Sequence, residues 1–428
     1  MKILHLNYYD FTGGAAIAGY RLHEALLNNN IDSKIISSNN KNKITTILTL
    51  PKLNIIKNIH IKYYKKVINI LLLKKYKKTK TKDYGPFSLQ LISNKTLIKK
   101  VNYLKPDIVH LHWICNNFLS IEDIAKISAP IVWSLHDQWA YTGGCHYTFG
   151  ENDLCNKYEK CCQYCEFLGS KSQKDLSYKI FKTKQKTYKK IENLAVIGVS
   201  NWITNTAKTS ALFSSKRVIC LPNPINTKLY KPIDKINARL LWNLPTDKKL
   251  ILFGAVSATS IPYKGYDLLI NTLRQLSTND IEAVVFGSNE PENPPLLQHK
   301  IHYLGNLRDD VSLVSLYNAC DLMVVPSKRE SFCQTASEAL SCGTPVVAFG
   351  IGGLLDIIEH KLNGYLAKPF DTTDLANGID WILNNDNYNE LSKNARDKVI
   401  REFDYDVVAK KYIALYKEIL NNQNAALL

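Results

Sequence analysis

The segment Pro326-Ser-Lys-Arg-Glu-Ser-Phe-Cys-Gln-Thr-Ala-Ser-Glu338 decides the fold of the second half of this chain. It follows the apolar run Asp321-Leu-Met-Val-Val-Pro326, which is typical of a buried strand, and it leads into a helical pattern. A strand that turns directly into a helix at its carboxyl end is a building unit of a parallel α/β sheet. The turn is predicted to place Glu330 at the mouth of the strand and Glu338 about two helical turns further on.

The backbone of this segment favours an anionic ligand. The N–H groups of Ser331, Phe332 and Cys333 are predicted at the helix start, where the helix dipole attracts negative charge. A donor made of a sugar, a diphosphate and a ribose could span the segment. Glu330 would then lie at the sugar, and Glu338 would accept hydrogen bonds from a pair of ribose hydroxyls.

Two glutamates at this spacing could also belong to a solvated helix face. The segments that follow favour the ligand-binding interpretation. Gly343-Thr-Pro-Val-Val-Ala348 reads as another short buried strand, and Gly350-Ile-Gly-Gly353 reads as a second glycine turn. The loop and helix would therefore be enclosed by two strands and a glycine turn.

The same residues resemble a known family. Glu330-Ser-Phe-Cys-Gln-Thr-Ala-Ser-Glu338 resembles the paired-glutamate signature of the retaining nucleotide-sugar glycosyltransferases of family 4. Ala339-Leu-Ser-Cys-Gly-Thr-Pro-Val-Val347 is similar to what normally follows that signature. The resemblance covers nearly the whole chain, with weak stretches at roughly residues 40–100 and 165–190. It implies the GT-B fold, an α/β architecture of two Rossmann-like, doubly wound parallel-sheet domains that face an inter-domain crevice.

Length and pattern both indicate two domains. The 428 residues suit two α/β domains, each of which can bury its own core. The alternation of apolar runs and amphipathic stretches restarts after Leu221-Pro-Asn-Pro-Ile225, where two prolines hold the chain extended. We expect an acceptor-side domain at residues 1–218 and a nucleotide-sugar-binding domain at residues 219–402. The resemblance implies that the terminal helix, residues 403–428, packs back on the first domain.

The net charge of +17 restricts the partners. Eleven lysines fall between Lys52 and Lys82, interleaved with apolar residues at helical spacing, and a second basic run spans Lys171 to Lys190. Solvated helix faces and an anionic membrane surface are both compatible with these runs. We expect no nucleic-acid partner, because arginine-rich and aromatic nucleic-acid motifs are missing. With no apolar run of about 20 residues and a polar start, the sequence predicts a cytoplasmic protein peripheral to the membrane.

The resemblance assigns roles to residues outside the glutamate segment. His136, at the end of a predicted strand, matches a histidine that contacts the donor sugar, and Gly13 and Gly14 match a glycine loop that approaches the diphosphate or the acceptor. Leu304 and Asn306 lie where the family reads the nucleotide base through backbone groups. Lys264 could meet the donor phosphates and neutralise the leaving group.

Three histidines and one missing arginine complicate this assignment. A lone histidine at a strand end is more often structural, and His110 and His112 are interpreted as packing or acceptor-side residues. The family usually has an arginine where Ala255 stands in this chain. Half of the usual cationic clamp on the donor phosphates is therefore missing, and Lys264 must act with backbone donors or with another basic residue.

Five of the ten cysteines cluster after His136. Cys145, Cys155, Cys162 and Cys165 supply the ligand count of a tetrahedral structural zinc site, and the last two form a Cys-x-x-Cys pair. His146 and Cys161 are further candidates for ligands. Reduced thiols in a loop are the alternative, since only one half of the cluster has the tight pair. The sequence predicts a structural zinc and no cofactor for catalysis.

These features favour a transferase that moves a sugar from a UDP- or GDP-sugar to an acceptor hydroxyl, with retention of configuration. The acceptor would be a growing lipid-linked or surface glycan. A sugar phosphorylase or a nucleotide-sugar epimerase on the same fold is one alternative, which free sugar phosphate or an epimeric product would reveal. A non-enzymatic basic protein that binds membrane or nucleic acid is the other. Plain binding does not require Glu330, Glu338 and Lys264 together.

Overall fold

The computed structural model divides into two compact units. The first comprises Met1–Leu221 with Ala409–Leu428, and the second comprises Pro222–Val408. The sequence predicted the two boundaries at residues 218 and 402. The structure describes the chain except for residues 41–42, 51–66, 69, 77–85, 149–154, 278–279, 308 and 426–428.

The first unit contains a seven-stranded sheet in which every strand pair is parallel. Its strands are β1 (Lys2–Leu6), β2 (Asp32–Ser37), β3 (Ile47–Thr49), β4 (Ile108–Leu111), β5 (Ile131–Leu135), β6 (Leu194–Gly198) and β7 (Arg217–Cys220). Its helices are α1 (Gly14–Asn28), α2 (Lys95–Tyr103), α3 (Ile121–Ile124), α4 (Leu176–Tyr188) and α5 (Asn201–Thr209), with 3₁₀ turns at Trp139–Tyr141, Lys157–Glu159 and Glu166–Leu168. The strand order is β3-β2-β1-β4-β5-β6-β7.

The second unit contains a six-stranded parallel sheet. Its strands are β8 (Lys249–Gly254), β9 (Ile281–Phe286), β10 (Ile301–Tyr303), β11 (Leu322–Val325), β12 (Val346–Phe349) and β13 (Gly364–Ala367). Its helices are α6 (Lys235–Leu241), α7 (Tyr266–Leu273), α8 (Asp310–Ala319), α9 (Gln334–Ser341), α10 (Leu354–Ile357), α11 (Thr372–Leu383) and α12 (Tyr388–Phe403), with a 3₁₀ turn at Pro262–Lys264. The strand order is β10-β9-β8-β11-β12-β13.

The apolar runs of the sequence become the buried centre of each sheet. Every residue of β5, β11 and β12 is buried, as expected for parallel strands covered by helices on both faces. The prediction of two doubly wound parallel sheets is confirmed. Each sheet also has a switch point, where the strand order reverses at β1/β4 and at β8/β11. Ligands of such sheets bind at the carboxyl ends of the strands beside the switch point.

The last helix, α13 (Tyr405–Ala425), contributes most of its length to the first unit. Its Tyr416 hydroxyl lies 2.6 Å from Nδ1 of His110, and the Tyr412 hydroxyl lies 3.4 Å from the hydroxyl of Ser134. Both tyrosine side chains are buried. The helix therefore packs on strands β4 and β5 through polar contacts inside an apolar interface.

The two basic runs have different surroundings. Most of the stretch Lys52–Lys82 lies outside the described residues, and its described residues 67–68 and 70–74 are helical. The second run includes α4, where Lys184 is fully buried and donates to the carbonyl oxygens of Trp139 and Thr142. Lys184 therefore fits neither interpretation of this run, since it faces neither solvent nor a membrane. Within the described part of the chain, every helix is too short or too polar to cross a membrane.

Candidate functional site

Lys264 and Glu330 meet beside the switch point of the second sheet. Lys264 ends the 3₁₀ turn that follows β8, Glu330 follows β11, and β8 and β11 are adjacent. The Lys264 Nζ lies 2.6 Å from Oε1 of Glu330, and the two side chains are 22% and 11% exposed. Burial alone would lower the pKa of Lys264, but the Glu330 carboxylate outweighs it and raises the pKa above its ordinary value. Lys264 is therefore charged at neutral pH.

A glycine allows the Lys264 loop to close on the end of β11. Gly265 has a φ of 75°, and a Cβ at this position would lie 1.9 Å from the carbonyl oxygen of Pro326. The Lys328 N–H also donates to the carbonyl oxygen of Tyr263 at 2.8 Å. Only glycine tolerates both the left-handed backbone and this approach. The contact fixes where Lys264 reaches Glu330.

The predicted glycine turn encloses the glutamate segment from the other side. The N–H of Gly353 donates to the carbonyl oxygen of Glu330 at 2.9 Å. A Cβ at Gly352 would lie 2.1 Å from that oxygen, and a Cβ at Gly353 would lie 2.4 Å from the carbonyl oxygen of Ser331. These glycines therefore hold the backbone of Glu330 and Ser331 in place.

The turn before α9 contains Ser331, Phe332 and Cys333, which were predicted at the helix start itself. The helix α9 begins at Gln334, and Cys333 precedes it in the left-handed region with a φ of 84°. The three N–H groups therefore belong to the turn before the helix, and none of them donates to another described residue. The buried hydroxyl of Ser331 also lacks a hydrogen-bond partner in the described part of the chain. A turn whose N–H and hydroxyl donors have no partner among the described residues suits a phosphate.

Glu338 is 3% exposed on α9 and has a protein partner that the sequence did not reveal. The hydroxyl of Tyr317, on α8, donates to Oε2 of Glu338 at 2.6 Å. Burial, and then the carboxylate, raise the pKa of Tyr317, so its hydroxyl keeps the proton that it donates. Tyr317 therefore orients the carboxylate. No spacing rule links the two residues, because they lie on different helices.

The base-reading positions lie beside the ends of β9 and β10. The N–H of Leu304 donates to the carbonyl oxygen of Val285 at 2.8 Å, and the N–H of Gly287 donates to that of Gly305 at 2.7 Å. Asn306 is exposed. Because the Leu304 N–H is already used, a contact from Leu304 to a base would involve its carbonyl oxygen.

In the first unit, His136 ends a row of hydrogen-bonded imidazoles. Nδ1 of His5 lies 2.9 Å from Nε2 of His112, and Nδ1 of His112 lies 3.1 Å from Nε2 of His136. These residues lie on β1 or just after β4 and β5, which are neighbours in the sheet. Burial lowers the pKa of His136 to about 4 and that of His112 well below its ordinary value. The rings are therefore neutral at pH 7.

Neutral imidazoles in a row must all donate in the same direction, because each has one N–H and one lone pair. Nε2 of His5 is buried without a partner. A buried lone pair is tolerated better than a buried N–H, so Nδ1 of His5 donates to His112 and Nδ1 of His112 donates to His136. The proton of His136 then resides on Nδ1, where it can be donated to a hydroxyl oxygen. From the sequence, His112 is interpreted as a packing or acceptor-side residue, and His5 is not included.

The remaining predicted residues also lie in the first unit. Gly13 precedes α1 with a φ of 88°, and a Cβ there would meet nothing within 4 Å, so the backbone of the Gly13–Gly14 turn is open to approach. His146 does not join the cysteines: Nδ1 lies 2.7 Å from Oδ2 of Asp137, and Nε2 lies 2.8 Å from the Ser88 hydroxyl. The four predicted zinc ligands line a single cavity.

Comparison with known proteins supports the reading of the second unit. Residues 236–398 match the family model described as glycosyl transferases group 1. The uncharacterized glycosyltransferase MJ1607 of Methanocaldococcus jannaschii is 28% identical over 327 residues, which are 73% of this chain and 75% of that protein. The N,N'-diacetylbacillosaminyl-diphospho-undecaprenol alpha-1,3-N-acetylgalactosaminyltransferase of Campylobacter jejuni is 29% identical over 206 residues, and the match spans 53% of that protein.

Solved structures extend the likeness to the whole fold. Anabaena Alr3699/HepE, crystallised in complex with UDP and glucose, gives a TM-score of 0.64 at 16% identity, covering 98% of this chain and 100% of that chain. A glycosyltransferase from Rickettsia africae gives a TM-score of 0.66 at 20% identity, covering 98% and 99%. The two parallel sheets and these neighbours confirm the predicted GT-B fold. Residues 236–398 of this chain form a glycosyl transferases group 1 domain on that fold.

Proposed function

We propose that this chain is a retaining family 4 hexosyltransferase that moves a sugar from a UDP- or GDP-sugar to a hydroxyl of a growing lipid-linked or surface glycan. The contact between Lys264 and Glu330 carries the proposal, because it sets a cation and a carboxylate side by side at a strand switch point. The UDP and glucose bound by the Anabaena protein support the donor class. The undecaprenol-linked acceptor in the name of the Campylobacter enzyme supports a lipid-linked acceptor.

The chemistry follows from where charge develops. The bond between the anomeric carbon and the diphosphate oxygen breaks, and its electron pair leaves with the diphosphate. The Lys264 ammonium and the N–H groups of Ser331, Phe332 and Cys333 would stabilise that charge. The acceptor hydroxyl attacks from the same face, and its proton passes to the departing phosphate oxygen. No metal or protein base is needed for this step.

The donor would also separate the ion pair. A diphosphate competes with Glu330 for the ammonium of Lys264, because it brings more negative charge to the same cation. The released Glu330 carboxylate can then accept hydrogen bonds from the sugar hydroxyls. Glu330 would thus hold Lys264 in place before the donor binds and contact the transferring sugar afterwards. His136, with its proton on Nδ1, is the proposed donor to a sugar hydroxyl.

A product assay tests the reaction class. The purified protein is first screened by thermal shift against UDP- and GDP-sugars, and the stabilising donor is then incubated with lipid-linked saccharide acceptors. We expect free nucleotide diphosphate and a glycoside whose anomeric proton, by NMR, has the configuration of the donor. An inverted product would contradict retention. Free sugar phosphate would indicate a phosphorylase, and an epimeric nucleotide sugar would indicate an epimerase.

Glu338→Gln is expected to weaken donor binding by about 10-fold or more. The carboxylate would accept hydrogen bonds from two ribose hydroxyls. Hydrogen bonds to charged groups contribute about 1.5–3 kcal/mol each. Calorimetry of UDP binding measures the change. Tyr317→Phe leaves the carboxylate but removes its orienting donor, so it is expected to weaken binding by a smaller factor. Unchanged UDP affinity in Glu338→Gln would remove Glu338 from the ribose site.

We also propose that the protein acts at the cytoplasmic face of an anionic membrane. Among the described residues of the lysine-rich stretch, Ile70 is 41% exposed and Leu71 is 62% exposed, and Lys74 and Lys75 follow them four positions later. A lipid-linked acceptor would require such a contact. Each lysine near an anionic surface contributes about 1 kcal/mol.

Flotation with vesicles tests this contact. Binding is expected to require anionic lipid, to fall as salt rises, and to weaken when Lys74, Lys75, Lys77 and Lys78 become glutamine. Replacing four exposed lysines elsewhere, Lys208, Lys228, Lys231 and Lys249, is the matched control for charge. Equal binding by both variants, or no binding at low salt, would contradict membrane docking through this stretch.

A further inference from the structure

Four cysteine side chains that are separated in sequence converge in the first unit. Cys145 follows the 3₁₀ turn after β5, Cys155 precedes the turn Lys157–Glu159, and Cys162 and Cys165 precede the turn Glu166–Leu168. All four line one cavity of about 30 Å³. A cavity of this size has room for a single water or a single ion. No disulfide joins any of them.

A backbone hydrogen bond orients one of these sulfurs. The N–H of Gly143 donates to Sγ of Cys162 at 3.1 Å. The N–H of Leu168 donates to the carbonyl oxygen of Cys165 at 3.1 Å, which fixes the backbone of a second cysteine. Donors directed at thiolates stabilise their charge and orient them, which is the usual second layer of a thiolate metal site. An ordinary group of buried reduced thiols does not need such donors.

A buried lysine lies close to the residues that precede the cluster. Lys184 is fully buried, and its Nζ lies 3.0 Å from the carbonyl oxygen of Thr142 and 3.7 Å from the ring centroid of Trp139. Burial lowers the pKa of Lys184 to about 7. Four thiolates around a divalent cation would carry a net charge of −2, which would favour the charged form of this lysine.

In the described part of the chain, the group of potential metal ligands whose ligand atoms lie within 4.8 Å of one another is His5, His110 and His112, and the four cysteine sulfurs are spread more widely. Both ring nitrogens of His110 already have partners, the hydroxyls of Tyr416 and Ser134. His5 and His112 bond each other directly. These rings are therefore joined side by side and are not directed at a common point, whereas the four cysteines share an open cavity.

We infer that Cys145, Cys155, Cys162 and Cys165 form a closed tetrahedral site for one structural zinc ion. On binding Zn²⁺ the four side chains coordinate as thiolates, and any proton that a thiol carries is released to solvent. The site has no open position, so it takes no part in the chemistry of the donor. It ties together parts of the segment that follows His136, whose described residues from 137 to 168 have little regular secondary structure apart from short 3₁₀ turns. This inference is independent of the proposed transferase function.

Metal analysis of the full chain, purified without chelator, tests the site. We expect about one zinc per chain and its release on mercurial titration of the thiols. Cys162→Ser/Cys165→Ser is expected to lose the metal and to unfold at lower temperature. Cys161→Ser is the matched control, because Cys161 adjoins the cluster but does not line the cavity, and it should keep the zinc.

Cobalt substitution keeps the test independent of folding in the variants. Wild-type protein stripped of zinc and reloaded with Co²⁺ is expected to show the visible absorption of tetrahedral thiolate coordination, and Cys161→Ser should show it equally. Protein that contains no zinc and takes up no Co²⁺ would overturn the site. So would zinc retained in full by Cys162→Ser/Cys165→Ser. Donor binding by the wild-type protein is measured in parallel, and its presence or absence bears only on the transferase proposal.

Discussion

Lys264→Ala is expected to lower kcat by about 10²–10³, the usual effect of removing one preorganised donor from a developing negative charge. The ammonium is held 2.6 Å from the Glu330 carboxylate by a glycine-dependent turn, so its position is fixed before the donor arrives. This chain has Ala255 where a second cation is expected, which places more of the charge stabilisation on Lys264. The donor Kd should change less than kcat, because the charge on the diphosphate grows as the bond breaks.

Steady-state kinetics with the identified donor, together with calorimetry, separate the two effects. Lys328→Ala is the matched control, since this nearby lysine pairs with Asp267 and has no proposed contact with the donor. Glu330→Gln should also depress turnover more than affinity. In the double variant Lys264→Ala/Glu330→Gln, kcat should fall by less than the product of the two single decreases, because each substitution already breaks the same contact. Equal losses in kcat and in donor affinity for Lys264→Ala would assign it to ground-state binding.

Acidification is expected to destabilise the first unit strongly between pH 6.5 and pH 4. Burial lowers the pKa of His110 to about 3 and that of His136 to about 4, and it lowers the pKa values of His5 and His112 well below the ordinary value. In this pH window the unfolded chain binds protons that the folded chain does not. The stabilisation that these neutral histidines provide is therefore fully present above pH 6.5 and is lost as the pH falls.

Each of these histidines contributes up to about 1.4 kcal/mol of unfolding free energy per pH unit in that window. Urea denaturation followed by tryptophan fluorescence at several pH values measures the slope. His110→Gln is expected to reduce the slope, although it also removes contacts to Tyr416 and Ser134 and so lowers stability at pH 7.5. Stability that stays constant from pH 7 to pH 5 would contradict neutral buried imidazoles in the folded state.

The sequence by itself determined the strands, the turns and one end of the candidate site. Apolar runs such as Leu322–Val325 can be buried on both faces only inside a sheet. Glycines such as Gly265 and Gly352 mark positions where a side chain would collide with a carbonyl group. Because the carboxyl ends of parallel strands lie at the same edge, Lys264 and Glu330 could be predicted at one edge of a sheet. These predictions depend on local pattern and on the chemistry of single residues.

Only the tertiary structure decided which side chains touch. The order β9-β8-β11 brings Lys264 and Glu330 together although they are 66 positions apart, and no spacing in the sequence encodes that order. The same holds for Tyr317 with Glu338, for the row from His5 to His136, and for the burial of Lys184. The start of α9 at Gln334 was also missed, because Cys333 adopts a left-handed backbone that its residue type does not favour. Contacts between distant segments depend on packing, and packing is a property of the whole fold.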